Sequence, residues 1–172
     1  MRTEFRISGS GGQGVITAGI MLANAAVRSG IYAVQSQSYG PEARGGSSKA
    51  EVVISDVEID YPKAVSPQYT LCLTKESYLA YGKTAPESTK VYVDSSIEVG
   101  ADSRAISVPI MNAAKEISLR SANVVAVAFL AGLTGLISKE NLQAALKEQF
   151  PRFYETNLKC AEAGYEMAEN LS

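Results

Sequence analysis

Phe5-Arg6-Ile7-Ser8-Gly9-Ser10-Gly11-Gly12-Gln13-Gly14-Val15 decides how the rest of the chain is read. Its first four residues alternate apolar and polar, the pattern of a short strand, and the run ends in glycines. From Val15 to Arg28, Ile16, Gly19–Ile20, Ala23 and Val27 recur near helical spacing, and Gly30 stands where a helix commonly stops. Ile31 to Val34 reads as a second strand. Residues 4–35 therefore form a strand–loop–helix–strand unit suited to a parallel sheet. The connecting loop spells G-x-G-x-x-G at Gly9, Gly11 and Gly14.

Downstream, residues 36–47 are polar and turn-rich, and Lys49 to Ile54 alternates like a half-buried strand that a turn carries on into Asp56 to Ile59. Tyr69 to Leu73, Lys90 to Asp94 and Arg104 to Val108 are further strands, with a helix over Lys75 to Tyr81. Helices follow at Met111–Leu119, Asn123–Leu136, Lys139–Phe150 and Tyr154–Asn170, and Ser138 is placed to cap the third of these. No repeat, low-complexity tract or linker interrupts the 172 residues. The reading is one domain over 1–172, a three-layer α/β/α fold with a mostly parallel sheet and a helical C-terminal part.

Composition narrows the function. Sixteen Lys and Arg against 18 Asp and Glu leave a net charge of −2, with no basic face for nucleic acid. The most apolar run, Val124 to Ile137, is 14 residues long where a membrane span needs about 20, so it reads as a buried helix of a cytoplasmic protein. There is no histidine, and Cys72 and Cys160 lie far apart without a CxxC pair. An iron–sulfur or zinc site held by this chain alone is therefore not expected, and the two cysteines read as core thiols. Redox centres, where they are needed, belong to other chains.

Two loops carry the chemistry. The glycine loop suits a phosphate, because glycines permit close backbone approach and a helix N-terminus offers free N–H groups. A dinucleotide site also wants a carboxylate about 20 residues on, and Val34-Gln35-Ser36-Gln37 has none. No Gly-Lys-Ser/Thr follows for a P-loop. The alternative is a tight turn that lets the helix pack on the sheet. In the second loop Arg44 precedes Gly45-Gly46 and offers a forked cation to a phosphate or carboxylate, or pairs with Glu42 at a surface turn. Tyr39 either stacks on a ligand or partner, or covers the core edge. Asp94, Glu98 and Asp102 are read as solvated loop carboxylates, and Asn123 as a helix cap or core hydrogen-bonding group. No residue is assigned a catalytic or metal-binding role.

Taken together, Gly-Gly-Gln-Gly-Val at 11–15, Ser-Tyr-Gly-Pro-Glu-Ala-Arg-Gly-Gly at 38–46 and Glu-Val-Val-Ile-Ser-Asp at 51–56 resemble the gamma subunit of 2-oxoacid:ferredoxin oxidoreductases. The likeness extends to Ile59, Pro62 and the helix led by Asn123, and its second loop is most similar to the 2-oxoglutarate and branched-chain types. The resemblance implies CoA-dependent oxidative decarboxylation of a 2-oxoacid to acyl-CoA, carbon dioxide and reduced ferredoxin, by a complex in which this chain is inactive alone. Thiamine diphosphate, magnesium and iron–sulfur clusters would sit on companion alpha, beta and ferredoxin-like delta subunits, with ferredoxin as acceptor and homodimerisation open to the isolated chain. Coenzyme A, or a partner subunit, would meet Gly9, Gly11, Gly12, Gln13 and Gly14 together with Tyr39, Arg44, Gly45 and Gly46. The competing readings are a free-standing nucleotide- or coenzyme-binding α/β module, and a scaffold that binds no ligand.

Overall fold

The computed structural model describes residues 1–38, 47–101 and 103–172. Its sheet has six strands in the order β2-β3-β1-β4-β5-β6. In chain order these are β1 (Arg2–Ser10), β2 (Tyr32–Ser38), β3 (Ser47–Ser55), β4 (Tyr69–Cys72), β5 (Lys90–Asp94) and β6 (Ile106–Val108). β1, β4, β5 and β6 pair in parallel, and β3 runs antiparallel to both neighbours, β1 and β2. Five strands thus share one direction, as the mostly parallel reading expects.

The place of β3 is the part that alternation alone does not supply. The first strand–helix–strand unit is parallel but not adjacent, because β3 lies between its two strands. Too few residues join β2 to β3 for a crossover, so β3 pairs antiparallel to β2. Its side chains are buried nearly throughout, which suits an interior strand better than an edge.

Helices α1 (Val15–Arg28), α3 (Ile110–Ile117), α4 (Ala122–Thr134), α5 (Lys139–Gln149) and α6 (Tyr154–Glu169) share one core with a single face of the sheet. That core takes Phe5 and Ile7 of β1, Ala50, Val52 and Ile54 of β3, Leu71 and Tyr92. The other face carries a thinner layer, built by the one-turn helix α2 (Lys75–Ser77), the turn after it and the segment 56–68. Cys72, Tyr78, Val91, Val93 and Ile97 form a second, smaller cluster there. The three layers are present but unequal.

α4 explains the apolar run. Residues 122–131 are all buried, because α4 lies between the sheet and α6. Phe129 meets Tyr92 edge-on at 5.2 Å, and on the opposite side Gly164 of α6 approaches the backbone of α4. A Cβ on Gly164 would stand 2.4 Å from the Val125 carbonyl oxygen, so only glycine permits this approach. A helix surrounded on all sides has no polar face to show. No helix among the described residues is long and apolar enough to cross a membrane.

Several boundaries differ from expectation for local reasons. β2 runs on to Ser38 and β3 begins at Ser47, so both ends of the polar 36–47 stretch belong to strands. β3 stops at Ser55, whose Oγ accepts a hydrogen bond from the Val57 amide at 3.1 Å and turns the chain away, so no strand continues over 56–59. The helix expected over 75–81 becomes a π-turn at Tyr78–Gly82, in which the Lys83 amide donates to the Tyr78 carbonyl. Gly82 makes the wider turn fit, since a Cβ there would press on Tyr78 and Cys72. The Ser138 side chain accepts from the Asn141 amide and caps α5 as expected. Cys72 and Cys160 are free and buried, and burial pushes the Cys72 thiol up to about 11.

Candidate functional site

Both sequence-singled loops depart from one end of the sheet. Ser10, at the end of β1, pairs with Ser47 at the start of β3, and Ser38, at the end of β2, pairs with Lys49. The glycine loop and the flanks of the 39–46 loop therefore share the carboxyl edge of the parallel strands, where ligands of open α/β sheets collect. Tyr39, Arg44, Gly45 and Gly46 themselves lie outside the described residues, as does Asp102.

Within the glycine loop the five candidate residues divide. Gly9 and Ser10 still belong to β1; Gly11–Gln13 make a 3₁₀ turn, and Gly14, at φ 69°, leads into α1. The Gln13 amide is turned inward, where its Oε1 accepts from the Ser10 amide at 2.8 Å and its Nε2 donates to the Leu73 carbonyl at 3.2 Å. It fills the space above Gly9, where a Cβ would fall 2.4 Å from the Gln13 Oε1. Asn123 does the same at Gly14, donating from Nδ2 to the Gly14 carbonyl at 3.4 Å and standing 2.6 Å from where a Cβ would be. Gly11 and Gly12 meet nothing and are exposed.

Two of the glycines thus make room for the protein's own amides, and two remain open at the tip. The first intrahelical bond of α1 runs from the Ala18 amide to the Gly14 carbonyl, so the amides of residues 15–17 precede it and have no partner within the helix. Exposed glycine amides beside such a terminus suit an oxyanion.

Next to this tip lies a groove of about 370 Å³, lined by Thr17 of α1, Arg120 and Ser121 before α4, Asn123, Phe153 just before α6 and Asn157 in the first turn of α6. Ser121 Oγ donates to Asn157 Oδ1 at 2.7 Å, and both residues are buried. Phe153 is 63% exposed and forms an apolar wall. The groove joins residues from three helices far apart in sequence. Of its lining only Asn123 was singled out by sequence, and no spacing signal connects it to Arg120 or Asn157.

On the opposite face of the sheet, below the flanks of the second loop, Arg6 and Lys49 both pair with Glu51, at 2.7 Å and 3.3 Å. Both cations lie over the ring of Tyr81, at 5.7 Å and 5.3 Å. The trio carries one net positive charge near the middle of β1 and β3, where Arg6 pairs with Glu51. Asp94, expected to be a solvated loop carboxylate, is instead buried at 1% exposure. Its Oδ1 accepts from the Met111 amide at the start of α3, and its Oδ2 accepts from the Ser96 amide. A carboxylate that accepts from the first amides of a helix fixes where that helix starts, a positioning role.

The sequence pattern of the pyruvate ferredoxin/flavodoxin oxidoreductase family matches residues 4–167. The chain belongs to that family. Among members of this oxidoreductase family, it is 42% identical to the KorC subunit of 2-oxoglutarate synthase from Methanocaldococcus jannaschii, over 99% of this chain and 96% of that one. It is 38% identical to the KorC subunit from Archaeoglobus fulgidus, over 98% and 89%. The solved keto/oxoacid ferredoxin oxidoreductase gamma subunit from Geobacter sulfurreducens superimposes with a TM-score of 0.86 at 38% identity, covering 99% of this chain and 98% of that one. The same fold recurs in 2-oxoglutarate:ferredoxin oxidoreductase from Magnetococcus marinus, solved with 2-oxoglutarate, coenzyme A and succinyl-CoA, with a TM-score of 0.89 at 24% identity over 32% of that longer chain.

Proposed function

We propose that this chain is the gamma subunit of a heteromeric 2-oxoglutarate:ferredoxin oxidoreductase of the cytoplasm, folded as one unit over 1–172. The observation that carries the reading is end-to-end similarity, at 42% identity, to subunits named for 2-oxoglutarate synthase. In the proposed reaction 2-oxoglutarate, coenzyme A and oxidised ferredoxin give succinyl-CoA, carbon dioxide and reduced ferredoxin. Companion alpha, beta and ferredoxin-like delta subunits hold thiamine diphosphate, magnesium and iron–sulfur clusters.

This chain's part is to present a phosphate-binding edge. Gly11 and Gly12 expose backbone amides with no side chain in the way, and the start of α1 adds its unpaired N–H groups. Gln13 and Asn123 hold the loop in that shape from within, through their bonds to Ser10, Leu73 and Gly14. Gly9 and Gly14 supply the room those amides need. Tyr39, Arg44, Gly45 and Gly46, on the loop leaving the same edge, complete the proposed coenzyme A or subunit contact. The phosphates of coenzyme A fit this chemistry better than a dinucleotide does, since β2 ends in Gln35-Ser36-Gln37-Ser38 without a carboxylate for a ribose.

The test is a complex reconstituted with Gly12→Ala in place of the native chain. A methyl group at this open position leaves assembly and kcat unchanged and raises KM for coenzyme A several-fold. An unchanged KM with intact assembly removes the glycine tip from the coenzyme site. A lone chain that binds NAD and joins no thiamine-containing partner would establish the free-standing module instead.

A further inference from the structure

The groove beside the glycine tip holds hydrogen-bonding atoms that the fold does not use. Asn157 is only 4% exposed, and its Oδ1 accepts from Ser121 Oγ at 2.7 Å. Asn123 is 8% exposed, and its Nδ2 donates to the Gly14 carbonyl at 3.4 Å. Among the described residues nothing accepts from Asn157 Nδ2 and nothing donates to Asn123 Oδ1, yet neither atom is sealed in the core. Largely buried amides ordinarily satisfy both ends. Each of these spends one end on the protein and keeps the other for the groove that both line.

The rest of the lining matches that pair. Phe153, 63% exposed, offers an aromatic ring at the rim. Arg120 is exposed and no Asp or Glu lines the groove. Among the described residues no carboxylate pairs with its guanidinium. An aromatic face, a fixed donor and acceptor and an unpaired cation suit a flat heterocycle that carries an anion, which is the chemistry of a purine nucleotide.

Coenzyme A ends in such a group. With its pyrophosphate at Gly11, Gly12 and the start of α1, one of its two arms falls in the groove, because Asn123 touches Gly14 and Thr17 belongs to the first turn of α1. The pantetheine arm is uncharged and must leave this chain, since its thiol takes up an acyl group formed on a companion subunit. The adenosine arm takes no part in the reaction and is free to be held.

We propose that the groove is the adenosine 3′-phosphate subsite, which rests on coenzyme A being the ligand of the glycine tip. Phe153 stacks on the adenine, Asn123 Oδ1 accepts from its amino group, and Asn157 Nδ2 donates to a ring nitrogen. Arg120 pairs with the 3′-phosphate, for which a forked guanidinium is suited. Arg120 is then the residue by which the complex tells coenzyme A from its dephospho form.

Steady-state kinetics of the reconstituted complex test it, with coenzyme A, 3′-dephospho-coenzyme A and a coenzyme A bearing hypoxanthine in place of adenine. A charge-assisted pair lowers the KM for coenzyme A about tenfold below that for the dephospho form. Arg120→Gln raises the KM for coenzyme A and abolishes this preference, and Arg120→Lys keeps part of it. Hypoxanthine, which has a carbonyl where adenine has its amino group, raises KM several-fold in the native complex. The two native comparisons need no variant, so they decide even where Arg120→Gln fails to join the complex. A native complex that uses coenzyme A and its dephospho form equally well overturns the proposal. So does an Arg120→Gln complex that keeps the native preference, or a hypoxanthine coenzyme used as well as the adenine form. Gly12→Ala separates the two readings. If it raises the KM for coenzyme A while the 3′-phosphate makes no difference, the tip holds the coenzyme and the groove does not; if neither matters, the coenzyme reading falls as well.

Discussion

Replacing Gly14 by alanine should be among the costlier single-methyl changes in the chain, although the residue lies in a loop. Two effects add. Gly14 sits at φ 69°, and left-handed backbone costs an L-residue about 1–2 kcal/mol. The new Cβ would also lie 2.6 Å from Nδ2 and 3.0 Å from Cγ of Asn123, which is only 8% exposed and cannot simply swing into water. Displacing Asn123 forfeits its hydrogen bond to the Gly14 carbonyl, worth about 0.5–1.5 kcal/mol. The expected loss is about 1.5–3.5 kcal/mol, or a Tm lower by roughly 3–14 °C for a chain of this size. Urea and thermal unfolding of the purified chain measure it. The control is Gly12→Ala, where φ is not positive and nothing lies within 4 Å, so the change should stay within about 0.5 kcal/mol. Adding Asn123→Gly to Gly14→Ala removes the clash but keeps the backbone cost and the lost hydrogen bond, and places a glycine in the first turn of α4, so it should not restore stability. A Gly14→Ala loss no larger than that of Gly12→Ala would refute the account of how this loop is held.

Three further outcomes follow from the packing and the buried groups. Gly164→Ala drives a methyl into the Val125 carbonyl and the Phe129 amide, so α6 cannot stay seated on α4; the Tm should fall by more than for Gly14→Ala, or the chain should become insoluble on expression. Gln13→Ala leaves the Ser10 amide without its acceptor and the Leu73 carbonyl without its donor, a loss of about 1–3 kcal/mol by urea unfolding. Cys72 is fully buried and its thiol is raised from 9.0 to about 11 by burial. The unfolded chain therefore gives up this proton first, and the stability is intact below about pH 9 and lost as pH rises toward 11. Native protein should resist thiol reagents at pH 8, and Cys72→Ala should flatten the fall of Tm between pH 9 and 11.

What the sequence disclosed, and what it did not, has a physical pattern. Helix α1 and strand β5 match their expected bounds, because amphipathic spacing and clear terminators define them locally. The buried character of α4 was legible from its run of apolar residues, since nothing polar remains to face water. The insertion of β3 between β1 and β2 was not, because alternation reports which face a side chain takes and not which strand lies alongside. The glycine loop was legible as a loop needing close approach. That Gln13 and Asn123 are what approach Gly9 and Gly14 depends on a residue 109 positions away in the chain. Asp94 read as a loop carboxylate because its partner, the Met111 amide, lies 17 residues on. The groove lined by Arg120, Ser121, Phe153 and Asn157 had no spacing signal, because it is assembled by helix packing alone.

The central claim is tested most directly by purifying the complex with a tag on this chain and assaying 2-oxoglutarate oxidation with coenzyme A and ferredoxin. The account predicts that thiamine- and iron–sulfur-containing subunits co-purify and that succinyl-CoA forms only when this chain, coenzyme A and ferredoxin are all present. A complex that forms succinyl-CoA equally well without this chain, or a chain that captures no such subunits, would contradict it.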